Sequence, residues 1–230
     1  MTDGLYKKII GEASQLPYLK TFIPMLTGEP FCDQQIIERL KYARTNLPNV
    51  LIELYTNGSL LSFDIIRQLK GITNFYLSIS LNGLDPATRE KVMGLNDWNH
   101  VVRMAHYAGQ IKLTNRVTMV AYPEIPGNEI INFHTKGGMV IQYQSWAGQQ
   151  YHYERKRWTS CIRALSHMTI RYNGDANLCC FDPFGKVSFG NVNDRTLEEI
   201  WNSRTRQEYI SAHAVGQGNR LPLCQACTEG

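Results

Sequence analysis

The sequence predicts an α/β protein: a mostly parallel sheet, doubly wound or closed part-way into a barrel, carrying a small C-terminal appendage. Three observations predict it. Up to about residue 145, short β-rich runs alternate with helical patterns. Turns of polar residues and glycine fall just past the ends of those runs: Thr27-Gly28-Glu29-Pro30, Thr56-Asn57-Gly58, Ser80-Leu81-Asn82-Gly83 and Ser145-Trp146-Ala147-Gly148. In a parallel sheet that carboxyl edge is where ligands gather. After about residue 150 the rhythm changes to hairpin signals.

In order along the chain, residues 1–16 read as an amphipathic helix, with Leu5, Ile9, Ile10, Ala13 and Leu16 near helical spacing and Pro17 ending it. Phe22-Ile23-Pro24-Met25-Leu26 is a short apolar run, expected as the edge strand around Ile23 to Leu26. Asp33 is placed to cap a helix through about Thr45, whose buried stripe is Ile36, Ile37, Leu40 and Ala43. Val50 to Tyr55 is a strand, Ser62 caps a helix to Lys70, and Phe75 to Leu81 is the next strand. A helical stretch over residues 86–109 breaks near Gly94. Val117 to Tyr122 and Met139 to Gln144 are strands flanking a short helix at 128–135. Beyond the soft boundary at 150–160, Met168 to Tyr172 and Ala176 to Cys180 flank the turn Asn173-Gly174-Asp175. Lys186 to Phe189 follows, and Thr196 starts a helix running to about His213, with Glu198 and Glu199 in its first turn.

Composition narrows the function classes. With 230 residues, 43% hydrophobic and 19% charged, the chain has enough apolar surface for a sizeable core. The net charge of +4 is mild, and the sharpest basic run, Arg155-Lys156-Arg157, is too short for a nucleic-acid tail. No apolar stretch is long enough to span a bilayer, and MTDGLYKKII lacks the layout of a signal peptide. A cytoplasmic protein with reduced thiols is expected, in which spaced cysteines serve as metal ligands or catalysts rather than disulfides.

The six cysteines are Cys32, Cys161, the adjacent Cys179 and Cys180, and the Cys224-Gln225-Ala226-Cys227 pair. A CxxC presents two thiolates from one turn, and the hairpin brings a third sulfur towards Cys161. Sites of four thiolates hold zinc or an iron–sulfur cluster. Structural zinc sites more often show two short knuckles than one, which favours iron–sulfur. Cys179 and Cys180 would face opposite sides of a strand, so only one can serve the site. Cys32, near the Gly-Glu-Pro turn, reads as structural.

Gly28-Glu29-Pro30, Thr56-Asn57-Gly58 and Ile79-Ser80-Leu81-Asn82-Gly83, each at a strand end, resemble the core of a radical S-adenosylmethionine enzyme. The pattern Cys161…Gly174-x4-Cys179…Cys224-x2-Cys227, with Gly190-Asn191-Val192 and Leu197-Glu198-Glu199-Ile200-Trp201, is similar to that superfamily's SPASM/twitch auxiliary-cluster domain. The resemblance implies a (β/α)6 partial TIM-like barrel missing its first strand at 1–152, and a SPASM/twitch domain of hairpin and helix at 153–230. It implies one auxiliary [4Fe–4S] cluster on Cys161, Cys179, Cys224 and Cys227, the Gly-x4-Cys frame selecting Cys179 over Cys180. It further implies S-adenosylmethionine binding at Gly28, Glu29 and Pro30, with Thr27 where the family has a glycine, and at Ser80. In the full family the cofactor yields a 5′-deoxyadenosyl radical that abstracts a hydrogen from a peptide, sugar or small metabolite, and a reductant protein supplies electrons.

Two departures stand out. Residues 1–230 contain no CxxxCxxC triplet, the family's radical-generating motif, so the chain is expected to be a shortened form or inactive fragment. Met93 stands near where relatives place a cofactor-binding arginine, and Arg89, one turn earlier, is the expected substitute. Two other readings stay open: a non-catalytic iron–sulfur or zinc partner protein on the same scaffold, and a zinc-only oxidoreductase or nucleic-acid binder.

Overall fold

The computed structural model describes residues 1–83, 85–113, 115–121, 139–143 and 159–227. The expected helix at 128–135, the turn Ser145-Trp146-Ala147-Gly148 and the run Arg155-Lys156-Arg157 lie outside them. The chain divides into two compact units, one of residues 18–143 and one joining residues 1–17 to 144–230.

In the first unit the strands are β1 (Thr21–Phe22), β2 (Leu51–Thr56), β3 (Phe75–Ser80), β4 (Asn115–Ala121) and β5 (Met139–Tyr143). They form one sheet in sequence order, and every neighbouring pair is parallel. The helices α2 (Ile36–Asn46), α3 (Phe63–Lys70), α4 (Pro86–Met93) and α5 (Trp98–Gln110) lie on the crossovers between β1 and β4, the repeating strand–helix unit that parallel pairing requires. The edge strand is shorter and earlier than expected, because Ile23 to Leu26 already leave the ladder. A two-residue edge offers little backbone for unwanted pairing. Asp33 does not cap α2. It accepts from the Gln35 N–H and the Arg39 guanidinium, and the helix starts three residues later. The Ser62 cap stands as read, its hydroxyl accepting from the Ile65 N–H. Gly94 divides α4 from α5 with a left-handed φ of 69°. Ile52, Leu54, Leu77 and Ile79 of β2 and β3, Leu40 of α2, Ile66 and Leu69 of α3 and Val101 of α5 are fully buried. They are the apolar seam that holds helices on sheet.

The second unit begins with α1 (Asp3–Ala13), capped by the Thr2 hydroxyl. It continues with α6 (Ile162–Ser166) and an antiparallel sheet of β6 (Thr169–Ile170), β7 (Asp175–Asn177) and β8 (Ser188–Asn191). The expected long helix from Thr196 is two helices, α7 (Leu197–Trp201) and α8 (Arg204–Ala214). Ser203 interrupts them because its hydroxyl caps α8 at the Arg206 N–H. The first helix packs here: Lys8 Nζ donates to the Val192 and Arg195 carbonyls, and Glu12 accepts from the Leu197 N–H at the start of α7. Residues 1–17 therefore sit with the C-terminal residues, whereas the sequence division groups them with residues up to 152. Among the described residues no helix is long and apolar enough to cross a membrane.

Candidate cofactor rim and candidate metal centre

The rim is built at the ends of β1, β2 and β3. After β1 the chain passes Thr27 and Gly28, both exposed, and Gly28 takes a φ of 135° that a side chain would resist. Glu29 then caps a short 3-10 turn, Pro30–Cys32, through the Phe31 N–H. Its carboxylate also accepts the Thr56 hydroxyl at 2.6 Å on Oε1 and the Asn57 N–H at 2.7 Å on Oε2. Three donors from the protein thus hold a carboxylate that the sequence marks for the cofactor. Glu29 fixes the turn, and the acceptors left to a ligand there are the backbone carbonyls together with what acceptor room Oε2 retains.

Thr56 pairs with Ile79 in register, so Asn57 and Ser80 lie side by side just past the β2–β3 pairing, Ser80 still pairing with Thr118 of β4. Gly58 follows at φ 81°, and a Cβ there would stand 2.7 Å from Val101 Cγ1. Gly83 has an equally physical reason, since a Cβ on it would meet the Arg89 backbone nitrogen at 2.5 Å. Ser80 is half-buried at the end of β3. The expected substitution of Arg89 for a cofactor-binding arginine does not hold. Its side chain is fully buried, and its guanidinium is spent on Asp97, Ser59 and the carbonyls of Asn57, Ser80 and Leu81. Asp97 answers that charge: burial works to raise its pKa, but hydrogen bonds from Arg89 and Ser59 outweigh this and hold it below the usual carboxylate range. Met93 accepts a hydrogen bond from the Asn82 amide on its sulfur.

In the second unit, Cys161 precedes α6 and its carbonyl accepts from the Leu165 N–H. Cys179 and Cys180 lie in the turn after β7, which ends at Asn177, so alternation along a strand is not what separates them. Cys180 is exposed to solvent rather than packed, and Cys32 is exposed in its turn. Cys224 opens a single 3-10 turn that ends at Cys227, whose N–H donates to the Cys224 carbonyl. Leu223, at the left-handed φ of 65°, sets the approach to that turn. Burial pushes the Cys179 thiol well above the ordinary cysteine range, and the charges of Cys180, Cys227 and Cys224 add to this. Burial also pushes Cys224 up to about 12, with Cys227 and Cys161 adding to it. Cys179 thus feels Cys224 and Cys227, and Cys224 feels Cys227 and Cys161, with Cys179 and Cys224 the desolvated pair; thiolates are donors suited to zinc or an iron–sulfur centre. Among the described residues no three candidate ligands close on one point as a single ion needs.

One helix face gathers these segments, and sequence reading missed it. The buried residues of α8 are Arg206, Tyr209 and His213. Arg206 donates to the Ala164 and His167 carbonyls around α6, and stacks over Trp201 at 4.4 Å and Phe189 at 5.4 Å. Burial brings its pKa down to about 10. Tyr209 packs edge-on against Phe189 and, through burial and the neighbouring Cys224 and Asp182, is raised to about 12. The His213 ring lies against Gly218, whose N–H donates to the Thr159 carbonyl two residues before Cys161. Arg163 stacks over Phe181 at 4.7 Å, joining the Cys161 segment to the Cys179 turn. The available signal was the i, i+3, i+7 spacing of three large polar residues where an apolar stripe is usual.

A family model for the radical SAM superfamily matches residues 3–135, and one described as an iron–sulfur cluster-binding domain, SPASM, matches residues 161–228. A comparison with curated protein sequences yields no match. Among solved structures the chain is similar to BtrN in complex with AdoMet and 2-DOIA. The TM-score is 0.71 at 16% identity, over 99% of this chain and 80% of that one. It is also similar to anSMEcpe with bound AdoMet and the Kp18Cys peptide (TM-score 0.64, 16% identity, 92% and 75% covered). A third is SuiB of Streptococcus suis bound to S-adenosylmethionine (0.65, 15% identity, 99% and 64% covered). At these identities the likeness concerns the fold, and the matched family model, spanning more than half the sequence, carries the assignment. This chain belongs to the radical SAM superfamily and carries a C-terminal SPASM iron–sulfur cluster-binding domain.

Proposed function

We propose that residues 1–230 supply the S-adenosylmethionine rim and the auxiliary cluster of a cytoplasmic radical SAM/SPASM protein that removes hydrogen from a peptide or small-molecule substrate. The observation that supports this reading is that all four cysteines, Cys161, Cys179, Cys224 and Cys227, lie in residues matched by the cluster-binding family, with Cys179 and Cys224 desolvated and each under the influence of Cys227. These four thiolates would ligate a [4Fe–4S] centre, with Cys180 outside the set. At the rim, the carbonyls of Thr27 and Gly28 would receive the cofactor's ammonium while Glu29 and Pro30 hold the turn, and Ser80 would donate its hydroxyl to the methionyl carboxylate. When bound, the cofactor supplies the hydrogen-abstracting chemistry; the protein's part is orientation and exclusion of water. The substrate class follows the neighbours, whose structures hold 2-DOIA or a peptide; a separate reductant protein would supply electrons.

The test is anaerobic reconstitution of the chain. About four irons per chain with sulfur-to-iron charge-transfer absorption are expected. Tight zinc binding without colour would sink the cluster reading. Because residues 1–230 contain no CxxxCxxC triplet, this polypeptide is expected to bind S-adenosylmethionine without cleaving it reductively. Release of 5′-deoxyadenosine would overturn that second claim.

A further inference from the structure

We propose that Arg89 is the positioning residue of the cofactor rim, locking the loop after β2 to the loop after β3 so that Ser80 and the Gly28-Glu29 turn stand ready for S-adenosylmethionine. The proposal rests on the cofactor assignment above and adds a residue that never touches the cofactor. An arginine with no exposed side chain is costly to bury, because its charge leaves water and all five N–H donors must find acceptors. Arg89 finds them at one place. Its Nη1 donates to the Ser80 carbonyl at 3.3 Å and the Leu81 carbonyl at 2.6 Å, and its Nη2 to the Asn57 carbonyl at 3.0 Å and Ser59 Oγ at 3.2 Å. Nε donates to Asp97 Oδ1 at 2.5 Å, just before α5.

The Asn57 and Leu81 carbonyls lie past the ends of β2 and β3, where the ladder no longer provides donors, and Ser80 lies past the β2–β3 pairing while still paired with Thr118 of β4. The Asn57 residue is then held from both sides: Arg89 takes its carbonyl and Glu29 takes its N–H at 2.7 Å. A continuous chain of hydrogen bonds therefore runs Glu29, Asn57, Arg89, Ser80 and Leu81 across the ends of three successive strands. The guanidinium fork does this because its donors diverge in one plane, whereas a lysine ammonium is a single point of charge. Ion pairs of this kind are weak contributors to stability beside an apolar replacement and are better suited to fixing one arrangement. A site whose supporting residues are locked binds its ligand without first ordering the loops.

The experiment titrates S-adenosylmethionine calorimetrically onto the full chain, well below its unfolding midpoint, for the wild type, Arg89→Lys, Asp97→Asn and the surface control Arg67→Ala. Iron content and circular dichroism are followed in parallel. Arg89→Lys is expected to bind about tenfold or more weakly, as loss of charge-assisted hydrogen bonds implies, with iron content unchanged. Asp97→Asn, which keeps an acceptor for Nε but removes the charge opposite the guanidinium, is expected to fall between it and the wild type. The control should match the wild type. Binding by a folded Arg89→Lys within about twofold of the wild type overturns the proposal. Should Arg89→Lys not fold, undiminished binding by Asp97→Asn overturns it as well. A wild type that does not bind the cofactor removes the underlying assignment instead, so the two failures are told apart.

Discussion

The Thr56 hydroxyl donates to Glu29 Oε1 at 2.6 Å, and this contact ties the turn after β1 to the end of β2. The same Thr56 oxygen accepts from the Gly58 N–H at 3.0 Å, so one buried hydroxyl fixes both the neighbouring loop and its own. A two-residue edge strand cannot hold the Gly-Glu-Pro turn by ladder bonds alone. The carboxylate substitutes for the missing backbone pairing, and charge-assisted bonds make the substitution effective.

Glu29→Gln is accordingly expected to destabilise the chain more than Thr56→Val. The amide turns a donor towards the Thr56 hydroxyl or the Asn57 N–H, leaving a part-buried donor opposed, at a cost of about 1–3 kcal/mol. Thr56→Val keeps the shape but leaves the buried Gly58 N–H without its acceptor, the lesser loss because Glu29→Gln disturbs the contacts to Phe31, Thr56 and Asn57 at once. Urea denaturation of both variants measures this, and the reverse order would mean that Glu29 does not hold the turn.

Alanine at Cys161, Cys179, Cys224 or Cys227 is expected to abolish bound iron in the reconstituted chain. Alanine at the exposed Cys180 or Cys32 should leave it at the wild-type level. Loss of the cluster should also loosen residues 159–227, since a small unit with few buried apolar side chains depends on its metal for stability. Iron quantitation with proteolysis of this segment checks both statements. Iron lost from Cys180→Ala and kept by Cys179→Ala would shift the ligand frame by one residue.

Arg206→Met should act on the same centre from outside it. The methionine fills the space between Trp201 and Phe189 but leaves the Ala164 and His167 carbonyls without their buried donor. The expected cost is about 1–3 kcal/mol per orphaned acceptor, read as a lower thermal midpoint and faster loss of iron to a chelator. Iron release at the wild-type rate would show that α8 does not organise the Cys161 segment.

Much of this was legible in sequence. The strands read at Val50 to Tyr55 and Phe75 to Leu81 fall within one residue of β2 and β3 at each end, and the Ser62 cap and the break at Gly94 likewise announce themselves through local chemistry that tertiary packing did not override. The expected single helix from Thr196 to His213 failed at Ser203, where a serine reading as an ordinary helix residue is a cap. The place of α1 was not legible, because its apolar stripe states that a face is buried and not against what. The interior placing of Arg89 and Arg206 was the largest omission. Pattern reading assigns arginine to solvent, and only the positions of backbone carbonyls reveal why two of them are interior.

The Arg89–Asp97 pair makes stability depend on pH. Asp97 has its pKa lowered in the folded chain, so its contribution is fully present above the ordinary carboxylate value. It drains away as the pH falls through the lowered folded value, while Arg89 keeps its charge. Asp97→Asn should therefore lie well below the wild type in urea midpoint at neutral pH, and the gap should close in acid. A gap of constant size across that range would remove the ionised pair as its cause.

The two motif glycines should respond differently to repair. At Gly58 a methyl meets the Val101 side chain, 2.7 Å from Cγ1 and 3.3 Å from Cγ2, and also inherits a φ of 81°. Gly58→Ala should thus cost roughly 1–2 kcal/mol in backbone strain with a clash on top. Val101→Ala removes the nearest methyl group and its neighbour, leaving only Ile79 Cγ2 at 3.2 Å, so the pair is expected to be less harmful together than the sum of its parts. The coupling should be of the order of 1 kcal/mol in a double-mutant cycle, although Val101→Ala alone leaves a cavity in a fully buried position. At Gly83 the new methyl meets the Arg89 backbone nitrogen at 2.5 Å and Cα at 2.6 Å, which no side-chain truncation removes. Gly83→Ala must displace the start of α4, carrying the guanidinium away from Asn57 and Ser80, and no partner substitution should restore it. Additive costs at Gly58 and Val101, measured by urea midpoints, would mean that the loop after β2 yields to the methyl without α5 giving way, and that its glycine is there for φ alone.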